Sequence, residues 1–258
     1  MSMHLARFSS LIRATPEAFL LSDVTLDGQL ALERTGDVVV SYAPFDHIQH
    51  GARVVIVGIT PGAQQAKNAL VELRRRLVAG DSDEAALAAA KVFASFSGPM
   101  RTNLVAMLDQ IGLATWLGIE STAGLWSSHQ QMVHFTSALR YPVFVGGVNY
   151  NGQPAMTSHP SLRRMLDECL SEEAAALPGA VWIPLGPKAA TGIQYLVRSG
   201  VIPQSRVLDG LPHPSGANAE RIAYFLGRKP RAALSAKTDP ISLDAANARL
   251  RMLVSQLA

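Results

Sequence analysis

Residues 53–62 read RVVIVGITPG, an apolar run that passes directly into a Gly-x-x-Pro-Gly turn. An uninterrupted series of valine and isoleucine predicts a central strand that is buried on both faces. Glycine permits a close backbone approach and proline fixes the turn, so we expect backbone groups of residues 58–62 to face a cleft. The turn lacks the Gly-Lys-Ser/Thr of a P-loop and the glycine spacing of a dinucleotide site.

Strand and helix patterns alternate outward from this stretch. The sequence predicts a short strand at 37–42 and core strands at 53–57, 132–136, 180–185 and 206–208. Helices are predicted at 63–79, 83–95, from 98–99 onward, 160–176, from 187 to about 199, 219–226 and 243–257. This order predicts an α/β fold, a three-layer α/β/α sandwich with a central, mainly parallel four-stranded sheet. Ligands of such sheets bind at the carboxyl ends of the strands, where the turn lies.

Length and composition predict one domain of 258 residues. We expect a core over about 38–228, an N-terminal helical extension at 1–37, and a basic linker with a C-terminal helix at 229–258. The sequence contains no run of roughly 20 apolar residues and no signal-peptide pattern. Its single cysteine, Cys169, offers neither a disulfide framework nor cysteine ligands for a cluster. These features predict a cytoplasmic protein that does not associate with membranes.

The charge balance is compatible with a nucleic-acid partner but does not require one. The formal net charge is +3 and the sequence pI is about 9.2. Basic residues cluster at 74–76, 163–164 and 228–231. Solvated helix faces and a basic tail are the simpler interpretation of each cluster taken alone.

Two further features are candidates for chemistry. His213 lies in the loop LPHPSGAN at 211–218, where prolines on both sides restrict the backbone. A rigid loop at the end of a sheet suits a ring that must meet a ligand atom. Phe96 comes shortly before the helix start Gly98-Pro99, where its ring could stack on a planar base or simply fill the core.

The order of these motifs resembles that of the uracil-DNA glycosylase superfamily. The turn at 58–62 is followed by Phe-Ser-Gly at 96–98, His-Phe-Thr at 134–136, Arg-Tyr-Pro at 140–142, Pro-Leu-Gly at 184–186 and His-Pro-Ser at 213–215. The similarity spans roughly residues 38–228 and is greatest to the branch with the iron–sulfur bacterial and archaeal enzymes. The cysteines that bind the cluster in that branch are absent from this sequence.

The resemblance implies a monofunctional, monomeric DNA glycosylase of base excision repair that needs no metal or other cofactor. Such an enzyme flips uracil or a related damaged base out of DNA and hydrolyses its N-glycosidic bond. The implied catalytic residues are His213, which donates to the base oxygen that gains negative charge, and Thr60, which holds water. The implied substrate-binding residues are Gly58, Ile59, Pro61, Gly62, Phe96, Thr136, Asn149 and Ser215. Among them Phe96 stacks on the base, Thr136 or Asn149 reads its edge, and Ser215 lies near a phosphate.

The sequence departs from the superfamily at the water site. Branches of the family carry a glutamate at the second turn position, or an aspartate or asparagine at the third, where this chain has Ile59 and Thr60. Threonine can hydrogen-bond a water but cannot act as a general base near neutral pH. A weak or altered activity is therefore expected. The alternatives are a member that binds DNA or bases without cleaving them, and a hydrolase of free nucleosides or nucleotides.

Overall fold

The computed structural model describes residues 3–25 and 28–257 and has a mixed α/β architecture. The described residues do not include 1, 2, 26 and 27, which belong to the predicted N-terminal extension. Residue 258 of the predicted C-terminal helix segment also lies outside them.

The described strands form two separate sheets. They are β1 (Ala31–Thr35), β2 (Val38–Ser41), β3 (Val54–Gly58), β4 (Val133–Ser137), β5 (Val143–Val145), β6 (Val148–Asn149) and β7 (Val181–Pro184). One sheet is parallel with the order β4-β3-β7, and the other is antiparallel with the order β1-β2-β5-β6.

The predicted helices are present within a few residues of their expected bounds, and a short helix at Leu113–Leu117 was not predicted. The helices are α1 (Met3–Ala14), α2 (Glu17–Ser22), α3 (Ala63–Val78), α4 (Asp83–Ala94), α5 (Pro99–Gln110), α6 (Leu113–Leu117), α7 (Pro160–Met165), α8 (Ser171–Ala176), α9 (Pro187–Arg198), α10 (Ala219–Phe225) and α11 (Pro240–Ser255). A π-helical turn at Leu166–Leu170 joins α7 to α8, within the single helix predicted at 160–176. Short 3₁₀ turns occur at Thr122–Trp126, Gln130–Met132, Gln204–Arg206, Gly216–Asn218 and Arg231–Ala233.

The parallel sheet is covered by helices on both faces. Val55 and Val57 of β3 belong to one apolar core, which also holds residues of α3 and α4. Val54 and Ile56 belong to a second core with residues of α5 and α11. Since successive side chains of a strand point to opposite faces, the valine and isoleucine run fills both cores at once. The prediction of a doubly buried central strand is confirmed.

The prediction of one four-stranded, mainly parallel sheet is wrong. The strand predicted at 37–42 is present as β2 and lies outside the parallel sheet, where it pairs antiparallel with β1 and β5. Its partner β1 lies within residues 1–37, for which the sequence predicts a helical extension. The residues of β2 are all buried, so their composition resembles that of a parallel core strand.

The fourth parallel strand predicted at 206–208 is reduced to a single bridge. Val207 pairs with Trp182 of β7, and the amide of Leu208 donates to the Trp182 carbonyl at 2.9 Å. A 3₁₀ turn ends at Arg206, and Gly210 has a φ of 116°, which few other residues adopt. The extended run between them is too short for a ladder, so the parallel sheet has three strands.

None of the helices in the described part of the chain has both the length and the apolar character needed to cross a bilayer.

Candidate functional site

A large cavity lies beyond the carboxyl ends of β3 and β7. Its volume is about 1180 Å³, and its walls include Ile59, which follows β3, and Leu185 and Gly186, which follow β7. His213 and Ser215 of the proline-rich loop and residues of α9 also line it. Of the predicted site residues, the structure therefore brings Ile59, His213 and Ser215 to one cavity. Its position agrees with the rule for ligand sites in parallel α/β sheets.

The His213 ring is held in a defined tautomer. The amide of Ser215 donates to its Nδ1 at 3.3 Å, so this nitrogen is an acceptor and the ring proton lies on Nε2. Burial of the half-buried ring lowers its pKa from the ordinary histidine value, which favours the neutral form. His213 thus offers the cavity a neutral N–H donor.

The loop that carries His213 is fixed from two sides. Asn103 of α5 donates from Nδ2 to the Pro214 carbonyl at 2.9 Å, and the Gly186 amide donates to the Leu211 carbonyl at 3.2 Å. Gly186 has a φ of 81°, and a Cβ there would lie 3.2 Å from the Cβ of His213. A larger residue at 186 would be strained and would also press on the histidine.

The Gly-x-x-Pro-Gly turn is tied to its neighbours by hydrogen bonds. The buried Thr60 hydroxyl donates to the Tyr141 carbonyl at 2.9 Å, which leaves only its lone pairs for water. The amide of Gly62 donates to Gln65 at 3.1 Å, and Pro61 is buried. Thr60 therefore anchors the turn to the segment after β4, and it does not line the large cavity. Its predicted contact with water stays a prediction.

Phe96 adopts a backbone conformation that is unfavourable for its residue type. Its φ is 48°, and among the described residues other than glycine it alone has a positive φ. The buried ring packs 6.0 Å from the Phe135 ring and close to Gly58, where an added Cβ would lie 3.7 Å from it. The left-handed conformation costs a non-glycine residue about 1–2 kcal/mol. A Cβ at residue 58 would make only ordinary van der Waals contact with this ring, and its closer contact would be with the Ser137 Oγ at 3.2 Å.

Thr136 lies on the opposite face of β4 from Phe96. Phe135 shares a core with Phe96, so strand alternation points Thr136 to the other face and Ser137 to the Phe96 face. The Ser137 Oγ lies 3.2 Å from the position of a Cβ on Gly58 and has no hydrogen-bond partner in the described part of the chain. Sequence reasoning missed Ser137, because only the register of β4 against β3 places it beside Gly58.

Asn149 has a structural contact at the start of α3. It lies in β6, and its side-chain oxygen accepts from the Ala63 amide at 3.0 Å. The N-cap residue of α3 is Gly62, which has no side chain to make this bond. Asn149 thus supplies the missing cap from a distant part of the chain and is not among the residues of the large cavity.

The cavity carries a surplus of positive charge that the sequence analysis did not identify. Its charged residues are Lys188, Arg198, Arg221, Arg249 and Asp209. Asp209 accepts a hydrogen bond from Arg249 at 2.6 Å, and in the described residues it is the cavity's one carboxylate. Lys188 and Arg198 lie on α9, whose start after Gly186-Pro187 was predicted, so the spacing of its polar residues was an available signal. No group of three or more histidine, cysteine, aspartate or glutamate residues in the described ranges is arranged to hold a metal ion.

Together these features define an α/β protein with a cationic cavity at the carboxyl ends of a parallel sheet. The chain is 36% identical over 228 residues to the uncharacterized protein YoxB of Bacillus subtilis (strain 168). The match covers 87% of this chain and 89% of YoxB, and the chain therefore belongs to the same family as YoxB. No protein-family model matches the sequence, and no solved structure matches it.

Proposed function

We propose that this protein is a DNA glycosylase-like enzyme that removes uracil or a related base after the base has been flipped out of DNA. The observation that carries the proposal is the neutral His213 donor, fixed by Ser215 at the rim of the cavity. Resemblance in the order of motifs supports the same reaction class. A base inside a duplex is out of reach, so the reaction requires extrusion into a pocket.

In this proposal the reaction depends on stabilisation of the leaving base. The bond between the sugar carbon and the base nitrogen breaks, and its electron pair leaves with the base. Nε2–H of His213 donates to the base oxygen on which this charge accumulates. A water oxygen then bonds to the sugar carbon, and the proton that it loses neutralises the base. Removal of one such donor typically costs about 10²–10³-fold in rate.

Phe96 and Ser137 are the proposed recognition residues. In this proposal the base reaches past the cavity wall to the Phe96 ring, which is buried and does not line the cavity, and stacks on it. The strained backbone of Phe96 is the kind of feature that concentrates at functional sites. The Ser137 hydroxyl, on the same strand face, reads a polar edge of the base in place of Thr136. A hydroxyl is a donor and an acceptor at one atom, so it discriminates between bases less strictly than an amide.

The proposal is tested with oligonucleotides that contain one uracil. Single- and double-stranded forms are incubated with the protein and then treated with alkali, which breaks the strand wherever a base has been removed. We expect breaks with the wild type and a loss of about 10²–10³-fold in rate for His213→Ala. His50→Ala is the matched control, since His50 is exposed and lies before β3, at the other end of the sheet. Equal rates for the two variants would refute the role of His213.

A second candidate function is binding of DNA or a base without hydrolysis. It is favoured by the pairing of Asp209 with Arg249, which leaves no unpaired carboxylate among the described residues of the cavity to activate water. In the same experiment this function gives no strand breaks but a complex that dissociates as salt is added. Absence of both breaks and binding would exclude the two candidates together.

A further inference from the structure

We infer that the large cavity is a groove for a single nucleic-acid strand, and that α9 holds the phosphates next to the flipped nucleotide. The inference rests on the proposed function and extends it to the surface beyond His213. Among the residues that the structure describes, four cations line this cavity against one carboxylate, a surplus of three positive charges. The same surplus, +3, is the formal net charge of the whole chain. The remainder of the protein is therefore balanced, and the excess is concentrated here.

The polar residues of α9 form a continuous row along the cavity. Lys188, Thr191, Gln194 and Arg198 are spaced by three, three and four residues, which places them on one face of the helix. The row runs from Lys188 to Arg198, ten residue steps that span about 15 Å at the rise of an α-helix. About four phosphates occupy that length along one strand of B-form DNA. The row therefore matches a short stretch of strand better than a single nucleotide.

The cations differ in their availability to a ligand. Arg249 is paired with Asp209, Arg221 donates to Asn218 and to the Lys237 carbonyl, and Lys188 donates to the Asn151 carbonyl. Arg198 is exposed, and among the described residues it has no ion-pair partner. Arg198 can therefore contact a phosphate without breaking an ion pair or hydrogen bond within the described part of the protein.

The shape of the cavity favours one strand over a duplex. Its volume of about 1180 Å³ exceeds the roughly 300–1,000 Å³ of pockets for drug-sized ligands, so one base leaves much of it empty. A duplex is a stiff rod with a persistence length of about 150 base pairs and cannot fold into a concavity. Apart from His213, no aromatic side chain lines the described cavity, so phosphate contacts supply the affinity and it depends steeply on salt.

Fluorescence anisotropy with an undamaged probe tests this groove directly. The probe is a labelled oligothymidylate of about ten nucleotides, within the range of site sizes of single-strand binders. We expect binding that weakens about 20-fold between about 50 and about 200 mM salt, the change for three phosphate contacts on a single strand. A labelled duplex of the same length should bind more weakly.

Arg198→Glu is the test variant and Arg251→Glu is its matched control. Both arginines are exposed, and Arg251 lies on α11 outside the cavity. We expect Arg198→Glu to lower the affinity for the oligothymidylate about tenfold. The slope of log affinity against log salt concentration should become shallower by about 0.7, the value for one lost phosphate contact on a single strand. The control should bind within about twofold of the wild type, since it removes no groove contact.

The inference is overturned if the oligothymidylate does not bind, if the duplex binds as tightly, or if the two variants lose affinity equally. The probe carries no uracil, so this result does not depend on whether the protein excises bases. Conversely, strand breaks in the alkali assay together with a duplex preference would leave the proposed function standing and refute the single-strand groove.

Discussion

Phe96 shows how one residue can be placed against its own conformational preference. Its φ of 48° suits glycine and disfavours residues with a side chain. We predict that Phe96→Gly is more stable than Phe96→Ala by about 1 kcal/mol, although glycine is ordinarily the less stable of the two. Both variants lose the ring, so the difference between them reports the energetic cost of the backbone conformation at residue 96. The measurement is the free energy of unfolding in urea.

Phe96→Leu separates the ring's two roles in the same experiment. Leucine keeps most of the apolar burial but has no planar face for stacking. The variant should therefore change the free energy of unfolding only slightly but should clearly lower the rate of base excision. If Phe96→Ala proves more stable than Phe96→Gly, residue 96 does not have the strained backbone conformation described here.

The residue scale also shows where sequence reasoning stops. The prolines around His213 predicted a rigid loop, and the loop is fixed as expected by Asn103 and Gly186. The choice between Thr136 and Ser137 could not be made in the same way, because a shift of one residue along a strand reverses the face of the side chain. Only the pairing of β4 with β3 beside Gly58 decides which of them meets Phe96.

At the scale of elements, composition predicted helices and core strands better than it predicted their partners. Most of the helix bounds follow from alanine-rich, amphipathic segments and from starts such as Gly98-Pro99. The sheet to which β2 belongs could not be predicted, because a buried valine-rich strand has the same composition in parallel and antiparallel sheets. The contact between Asn149 and α3 spans 86 residues and has no local signature.

That contact leads to a prediction about stability. Asn149→Ala should lower the free energy of unfolding by about 1 kcal/mol, because the Ala63 amide loses its capping acceptor. Asn149→Asp should retain most of the stability, since it keeps the acceptor and adds a negative charge at a helix N-terminus. Urea denaturation of the three proteins provides the measurement. An alanine variant of unchanged stability but reduced base excision would instead support the substrate-binding role predicted for Asn149.

At the scale of the whole molecule, a buried ionic cluster joins four parts of the chain. Glu173 of α8 is fully buried and accepts from Arg140 Nε at 2.9 Å, and Lys91 Nζ of α4 lies 3.9 Å from it. His134 of β4 lies with its Nε2 3.4 Å from the same carboxylate. Burial disfavours the ionised form of Glu173, but Arg140, Lys91 and His134 outweigh it and hold its pKa below the ordinary range. The cluster links helices α4 and α8 to the parallel sheet.

His134 is the member of the cluster that should respond to mild acid. Burial, with the nearby Lys91, lowers its pKa to about 4. Its Nδ1 accepts from the Gln49 amide at 3.3 Å, so a proton added there would face another donor. In the unfolded chain the imidazole takes up a proton near its ordinary pKa of 6.5. Between these two values the unfolded state binds more protons, and stability therefore falls as the pH falls.

We predict that the free energy of unfolding decreases by about 3 kcal/mol between pH 6.5 and pH 4 through His134 alone. Other groups titrate in this range, so the test is the difference between the wild type and His134→Gln, followed by urea denaturation at a series of pH values. The variant should be less stable at pH 7 but should lose less stability on acidification. Parallel curves for the wild type and His134→Gln would show that this histidine does not couple folding to pH.

Glu173 acts in the same direction at lower pH, because its stabilising charge is lost as the pH falls through its depressed pKa.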